Sequence, residues 1–404
     1  MKTVKFYTLG CKVNQYDTQS IRERFLQCGF VEVNNGKPAD VYVINTCTVT
    51  QAADSKSREI IRRSCRENPK ARLIVTGCLA ENPNDSLKAM SGVDYIIGKR
   101  FFPVGISSFF KHTRAFLKIQ DGCDNFCSYC KVPLVRGRSR SRPLEEIIHE
   151  ANQLAINGHK EIVLTGICLG AYGKDLLPKT SLVRVIKELE KIERVLRIRL
   201  SSIEAKDITA ALISHMKSSN KLCPHLHIPI QSGDDTILKK MRRKYTRDDY
   251  LKLVVKIKKQ IPGIAITTDC LVGFPGETER QFQNTADLLN KVLPLRTHIF
   301  PYSRREGTAA ASDPGIVSSH AVKERAESLK KTASFCAASY KKKFISKSAD
   351  VLFEGRSKLR PDCWEGYTGN YIPVLLRSKL DLKNKLLRVK LKKIEGEFIL
   401  VGLQ

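Results

Sequence analysis

The sequence predicts an α/β chain in three parts. An N-terminal doubly wound parallel-sheet domain is expected over residues 1–105, a central partial (β/α)6 barrel over 110–345, and a C-terminal small all-β, OB-like barrel over 346–404. Three observations carry this. Apolar runs of strand length alternate with amphipathic helical stretches through the first two parts, the pattern of a parallel sheet with crossover helices. Six strand–helix units can be traced in the central part, short of a complete eight-stranded barrel. The last stretch, after one long helix, holds five short strands separated by turn residues.

Val4–Leu9 is a strand ending at Gly10-Cys11, and a helix is expected from Asn14 to about Gln27 with Ile21, Phe25 and Leu26 as its apolar stripe. Val41–Asn45 is the second strand, ending at Thr46-Cys47. Asp54 is expected to cap a helix running through Arg66. Leu73–Thr76 is the third strand, ending at Gly77-Cys78. A helix should start at Asn82-Pro83, and Tyr95–Ile97 closes the unit. Parallel sheets place ligand sites beyond the carboxyl ends of their strands. Cys11, Cys47 and Cys78 each fall one or two residues past such an end, so their thiolates are expected to converge on one centre. Cys28 and Cys65 lie in helices and read as structural.

Phe101–Lys111, with Pro103 and Gly105, reads as a connector. Ala115–Gln120 is then a strand running directly into Asp121-Gly-Cys-Asp-Asn-Phe-Cys-Ser-Tyr-Cys130. Cys123, Cys127 and Cys130 stand there at spacing C-x3-C-x2-C, close enough for all three thiolates to reach one metal centre. Tetrahedral zinc or a four-cysteine cluster would want a fourth ligand nearby, yet no Cys or His follows before His149. The simplest reading is a [4Fe–4S] cluster on three thiolates with one iron open; a half zinc site completed from elsewhere is the alternative.

The remaining barrel strands are Ile162–Gly166, Leu196–Leu200, His225–Ile230, Ile264–Val272 and Arg296–Tyr302, with helices at about 144–157, 181–192, 208–217, 246–260 and 279–292. A site is expected at the strand C-terminal ends. Those ends carry the glycine-rich run Thr165–Gly173, which allows close backbone approach to a ligand, then Ser202, Glu204, Gln231, Thr268–Glu277 and Pro301–Thr308. Cys168, Cys223 and Cys270 lack ligand spacing and read as incidental. Arg136, Arg138, Arg140 and Arg142 crowd one loop after the cysteines, where guanidinium groups suit phosphates or carboxylates. For the run Lys239–Lys244, a solvated helix end is an equal reading.

One long helix from His320 to about Lys347, carrying Cys336, leads to strands at Asp350–Glu354, Trp364–Thr368, Ile372–Leu376, Leu387–Ile394 and Phe398–Gly402. Over Lys341–Gln404, 15 Lys and Arg stand against 7 Asp and Glu. Trp364, Tyr367 and Tyr371 interleave with that charge, as stacking RNA-binding surfaces require; core aromatics of a small barrel are the alternative. The whole chain carries +29, from 70 basic and 41 acidic residues. That field favours a polyanionic partner, nucleic acid first. Thirteen cysteines without a secretion signal point to a reducing compartment and to metal ligation over disulfides. No tract is long enough to span a bilayer, so a cytoplasmic location without a membrane partner is expected.

The Cys123–Cys130 loop, with Tyr129 before its last cysteine, resembles the signature of the radical S-adenosylmethionine (SAM) superfamily, whose open iron chelates SAM. Tyr7-Thr-Leu-Gly-Cys11-Lys-Val-Asn14-Gln-Tyr-Asp17, Asn45-Thr-Cys47-Thr-Val and Thr76-Gly-Cys78 resemble the N-terminal domain of methylthiotransferases. The resemblance spans essentially the whole chain. It implies a second [4Fe–4S] cluster on Cys11, Cys47 and Cys78, with Asn14, Asp17, Asn45 and Thr48 as supporting residues. It implies a radical SAM barrel with SAM contacts at Tyr129, Gly166, Ser202, Glu204 and Gln231. The last part resembles a TRAM domain, an RNA-binding appendage, and the implied RNA contacts are Arg136, Arg138, Arg142, Trp364 and Tyr367. The activity implied is tRNA methylthiotransfer: reductive cleavage of SAM, removal of hydrogen from carbon 2 of an adenine, and sulfur supplied at the second cluster with a second SAM as methyl donor.

Within the family, Lys12-Val13 and Asp121-Gly-Cys123-Asp-Asn-Phe-Cys127 resemble the branch acting on N6-threonylcarbamoyladenosine beside the anticodon. The branches acting on N6-isopentenyladenosine or on a ribosomal-protein aspartate are alternatives, as is a non-catalytic iron–sulfur RNA-binding protein. A flavodoxin- or ferredoxin-like electron donor is implied, and no DNA partner.

Overall fold

The computed structural model describes residues 1–34, 36–82, 86–98, 105–110 and 112–403. Its first unit is a parallel sheet in the order β2-β1-β3-β4-β5, from β1 (Thr3–Thr8), β2 (Val31–Glu32), β3 (Val41–Thr46), β4 (Arg72–Gly77) and β5 (Tyr95–Ile96). Strands apolar on both sides need cover on both faces. Helix α1 (Lys12–Gln27) packs Ile21 and Phe25 over Val4, Phe6 and Val43. Helix α2 (Gln51–Glu67) packs Ile60 and Ile61 over Tyr42, Ile44, Leu73 and Val75 on the other side.

Three expectations in this unit need correction. Leu26 is exposed, and α1 buries a second, polar face of Tyr16, Asp17, Gln19 and Ser20. A helix wedged between two units has two inner faces, and hydropathy reveals only the apolar one. Thr50 caps α2, accepting from the Ala53 N–H, and Asp54 lies in the first turn. The helix expected at Asn82-Pro83 falls partly outside the described residues; the described part is a single 3-10 turn, Ser86–Ala89. Residues 101–104 and 111 of the connector also lie outside them.

The central unit starts at β6 (Arg114–Lys118). A small antiparallel pair, β7 (Gln120–Asp121) and β8 (Arg140–Ser141), brackets the cysteine loop and the short helix α3 (Val132–Arg136). Strands β9 (Glu161–Thr165) and β10 (Arg197–Leu200) run parallel to β6 in the order β10-β9-β6. The other half is β11 (His225–His227), β12 (Ala265–Val272) and β13 (Arg296–Pro301), also parallel. Parallel bridges Ile198–Leu222 and Ser202–His227 join the halves into one six-stranded partial barrel. Outside it lie α4 (Leu144–Ile156), α5 (Leu182–Glu190), α6 (Ala210–Ser218), α8 (Arg247–Gln260) and α9 (Glu279–Val292); α7 (Asp235–Lys240) and α3 were not foreseen. Helix α10 (Ser319–Lys342) then leads to a closed barrel in the order β14-β15-β16-β18-β17, from β14 (Ser348–Arg356), β15 (Cys363–Thr368), β16 (Pro373–Arg377), β17 (Leu386–Glu395) and β18 (Phe398–Leu403). Among the described residues no helix is long and apolar enough to cross a membrane.

The small barrel closes the strand-start end of the partial barrel. Glu161 is fully buried there, with Arg199 at 2.6 Å, Arg197 at 3.8 Å and Arg114 at 4.0 Å. Burial pushes its carboxyl up, but the arginines more than reverse this and hold it below the usual range. The guanidiniums also hold the small barrel: Arg197 donates to Tyr367 and Asp350 carbonyls at 3.0 and 2.6 Å, and Arg199 to the Gly369 carbonyl at 3.0 Å. The Tyr371 ring caps the cluster, 4.5 Å from the Arg199 guanidinium and 5.3 Å from that of Arg114. Arg199→Met removes the closest partner of a buried carboxylate, a change that costs about 3–5 kcal/mol. Urea unfolding of the full chain should show a loss of that order.

Candidate active site

The first three thiols are brought together by strand ends and by one asparagine. The Asn14 amide donates to the Leu9 carbonyl past β1 at 2.7 Å and to the Thr46 carbonyl at the end of β3 at 2.9 Å. Its oxygen lies 3.8 Å from Cys78 Sγ past β4. Asn45 holds Asn14 from behind, donating to its carbonyl at 2.9 Å. A Cβ built on Gly10 would stand 3.0 Å from Cys47 Sγ, so the Cys11 and Cys47 loops are already in contact. Cys47 and Cys78 are buried and Cys11 is exposed. Burial pushes the Cys47 thiol up to about 11.

The second triad sits in the loop after β7. Gly122 makes this loop possible: its φ is +73°, and a Cβ there would lie 1.9 Å from the Arg138 carbonyl oxygen. Cys123 N–H donates to the Gly137 carbonyl at 3.1 Å, closing the loop around α3. Ser128 ties the far side, its hydroxyl donating to the Lys240 carbonyl at 2.7 Å and its carbonyl accepting from Ala310 N–H at 2.8 Å. Burial pushes Cys130 up to about 12. Cys123 goes the other way, to about 7, because the Cys168 thiol donates to its sulfur.

Two residues at this loop were missed in the sequence. Cys168, read as incidental, contacts Cys123, and its sulfur accepts from the Asn125 amide at 3.6 Å. Arg243, inside a run for which a solvated helix end is an equal reading of the sequence, is buried with one nitrogen 3.3 Å from Cys127 Sγ. It also pairs with Glu204. A lone cysteine has no spacing signal, and a basic run does not say which member turns inward; only Arg243's place beyond α7 decides that.

The strand-end residues lie on one rim. The Ser202 segment bridges to His227, and Glu204 follows it, half-buried against Arg243. Gln231 sits past β11 with φ +60°, paired to Cys270 through a parallel bridge. Tyr129 packs its ring against Ile237, Met241, Leu271, Phe274 and Ala310. At Gly166 the close neighbour is protein: a Cβ would meet the Gln120 side chain at 2.9 Å.

Four of the five expected RNA contacts are corrected. The Arg136 side chain is 1% exposed and pairs with Asp121 at 2.8 Å. Arg142 is largely buried, donating to Glu150 at 2.7 Å and to the Tyr16 hydroxyl at 3.1 Å. Trp364 lies in the core of the small barrel. Tyr367 is half-buried under Arg114, 4.8 Å from its guanidinium. Arg138 stays exposed, over the exposed Phe126 ring. Buried carboxylates, Asp17 for Arg136 and Glu150 for Arg142, draw the other two arginines inward.

The model of the radical SAM superfamily matches residues 117–289, and that of a family described as uncharacterized, UPF0004, matches residues 3–98. The chain is 39% identical to the threonylcarbamoyladenosine tRNA methylthiotransferase MtaB of Bacillus subtilis, over 99% of this chain and 97% of that one. The chain belongs to the radical SAM methylthiotransferase family. Another relative of this methylthiotransferase, at 35% identity over 96% of this chain and 88% of its own, is the tRNA-2-methylthio-N(6)-dimethylallyladenosine synthase of Acetivibrio thermocellus. Among solved structures, the radical SAM methyltransferase TsrM of Kitasatospora setae matches with a TM-score of 0.55 over 77% of each chain at 13% identity, a likeness of fold alone.

The cofactors of this family are two [4Fe–4S] clusters and SAM. The donor sets fit them. Each site offers three cysteines and a guanidinium at one sulfur, as an anionic iron–sulfur centre favours. Among the described residues no three His, Cys, Asp or Glu side chains stand close enough to share one metal ion. A cubane binds each thiolate to a different iron, so three thiolates leave one iron open. Gly122→Ala should distort only the second loop: iron after anaerobic reconstitution should fall from about eight to about four per chain, measured by iron assay.

Proposed function

We propose that this methylthiotransferase adds a methylthio group to carbon 2 of N6-threonylcarbamoyladenosine next to the anticodon of tRNA. The observation that supports it most is the pairing of two cysteine triads through one buried contact chain, Cys78–Arg136–Asp121, in a chain almost fully covered by relatives named for that reaction. Cys123, Cys127 and Cys130 are proposed as ligands of the cluster that meets SAM, and Cys11, Cys47 and Cys78 as ligands of the auxiliary cluster. When bound, these groups supply the SAM-derived 5′-deoxyadenosyl radical and the sulfur, the hard chemistry that side chains lack.

The chain's own residues hold and orient. Gly122 and Ser128 shape the radical loop, Asn14 gathers the auxiliary thiols, and Arg243 with Glu204 lines the rim where SAM would lie. Tyr129, Gly166, Ser202 and Gln231 are proposed around the same ligand. The division at 1–105, 110–345 and 346–404 assigns these tasks to separate units, with the basic outer face of the small barrel and Arg138 left for tRNA. The excess of positive charge draws the polyanion in and makes its binding salt-dependent. A reducing compartment, the cytoplasm, and a flavodoxin- or ferredoxin-like donor complete the proposal.

Anaerobically reconstituted protein with SAM and reductant should form 5′-deoxyadenosine, and Cys47→Ala should lose the methylthio product while Cys123→Ala loses both. Nucleoside mass spectrometry of tRNA from a deletion strain should lack the methylthio form of threonylcarbamoyladenosine and keep the isopentenyl one. The reverse pattern would sink the substrate assignment.

A further inference from the structure

Arg136 joins Cys78 of the first triad to the strand that enters the loop of the second. It ends α3, just beyond Cys130, and carries a permanent charge with a side chain 1% exposed. Its fork reaches both units at once. Nε donates to Cys78 Sγ at 3.3 Å. One terminal nitrogen donates to both Asp121 oxygens, at 2.8 and 3.0 Å, on the strand that enters the Cys123 loop. The other donates to the Asn14 side-chain oxygen and faces the Asp17 carboxylate at 3.6 Å. Asp17 in turn binds Lys118 on β6. Removing a charge this deep from water costs several kcal/mol unless it is well paired.

The two carboxylates and Asn14 account for the terminal nitrogens. They leave unexplained why Nε is aimed at a sulfur. A hydrogen bond and a fixed positive charge at a ligand sulfur favour the more negative, reduced state of an iron–sulfur cluster and so raise its potential. Arg243 stands the same way at Cys127, 3.3 Å from its sulfur, but its other partners, Tyr245 and Glu204, lie in the central unit. Arg136 joins the two.

Resting on the function proposed above, we infer that Arg136 is a positioning residue of the auxiliary site: it orients the Cys78 thiolate toward the Cys123 loop, raises the potential of the cluster held there, and fixes the separation at which sulfur transfer follows radical formation. A residue that only ties the units together would leave the potential unchanged.

The test uses the full chain, reconstituted with both clusters, as wild type, Arg136→Gln and Arg136→Lys. Redox titration is followed by electron paramagnetic resonance, with SAM added to mark the signal of the cluster it binds. The midpoint of the other cluster should fall in Arg136→Gln and fall less in Arg136→Lys, which keeps the charge and loses the fork. Methylthio product formed per 5′-deoxyadenosine should drop about 10-fold in Arg136→Gln, the usual lower range for a lost contact to a metal ligand. Midpoints and product ratios equal to wild type would overturn the assignment. Should Arg136→Gln not take up iron, Arg136→Lys decides, a shifted midpoint supporting the inference and an unshifted one overturning it. Wild-type chain that makes no 5′-deoxyadenosine would instead overturn the function itself.

Discussion

The molecule depends on the polar face that α1 turns away from its own sheet. Tyr16 and Asp17 lie along that face, buried against the central unit, while Asn14 faces the sheet and meets the central unit through Arg136. Asn14 gathers the strand ends that carry the first triad, Asp17 meets Lys118 and Arg136, and the Tyr16 hydroxyl donates to Glu150 at 3.1 Å while accepting from Arg142. Buried polar groups are tolerated only when they are satisfied. That requirement makes the interface directional: a slipped docking would strand carboxylates and guanidiniums without partners. An apolar interface of the same size would tolerate sliding. Two redox sites that must act on one substrate atom need the directional kind. A second tie supports it at the other edge, where Arg305 donates to Thr48 at 2.8 Å and pairs with Asp54, and Gln51 N–H donates to Ser303 at 3.0 Å.

The same logic closes the opposite end of the partial barrel. Six strands do not make a closed barrel, and the strand-start end needs a plug. Glu161 draws Arg114, Arg197 and Arg199 inward; the remaining donors of Arg197 and Arg199 fall on carbonyls of the small barrel, and Arg114 pairs with Glu354 there. Tyr371 completes the plug: burial alone would raise its phenol, but Arg114 and Arg199 hold it below the ordinary value. The aromatic residues of β15 and the following turn therefore serve the joint and the core. What remains outside the small barrel is a basic, largely non-aromatic surface.

The arginine-rich loop shows how charge in a sequence divides once the chain folds. Arg136, Arg138, Arg140 and Arg142 alternate, but Arg136 ends α3 and β8 holds only Arg140, so no single strand's alternation sorts them. Arg136 and Arg142 find buried acids contributed by α1, β7 and α4; Arg138 and Arg140 find solvent. Asp17 lies far away in the chain, and Asp121 and Glu150, though near, sit on other elements, so spacing alone does not separate the two kinds of arginine. Trp364 was closer to legible: on β15 it shares a period-two face with Gly366 and Thr368, all buried, and that alternation already favours a core ring.

By itself the sequence determined the three-part architecture and nearly every strand and major helix, and it singled out both cysteine triads. These are local signals: periodicity is set by backbone geometry, and a thiol placed just past a parallel strand, or three within one short loop, is marked as a candidate ligand by its spacing. The tertiary structure alone decided which charged side chains serve the site. Arg136 and Arg243 reach sulfurs, Cys168 reaches Cys123, and Tyr367 turns inward, because burying a charge or a ring depends on partners brought from distant segments, and a linear pattern carries no record of who those partners are.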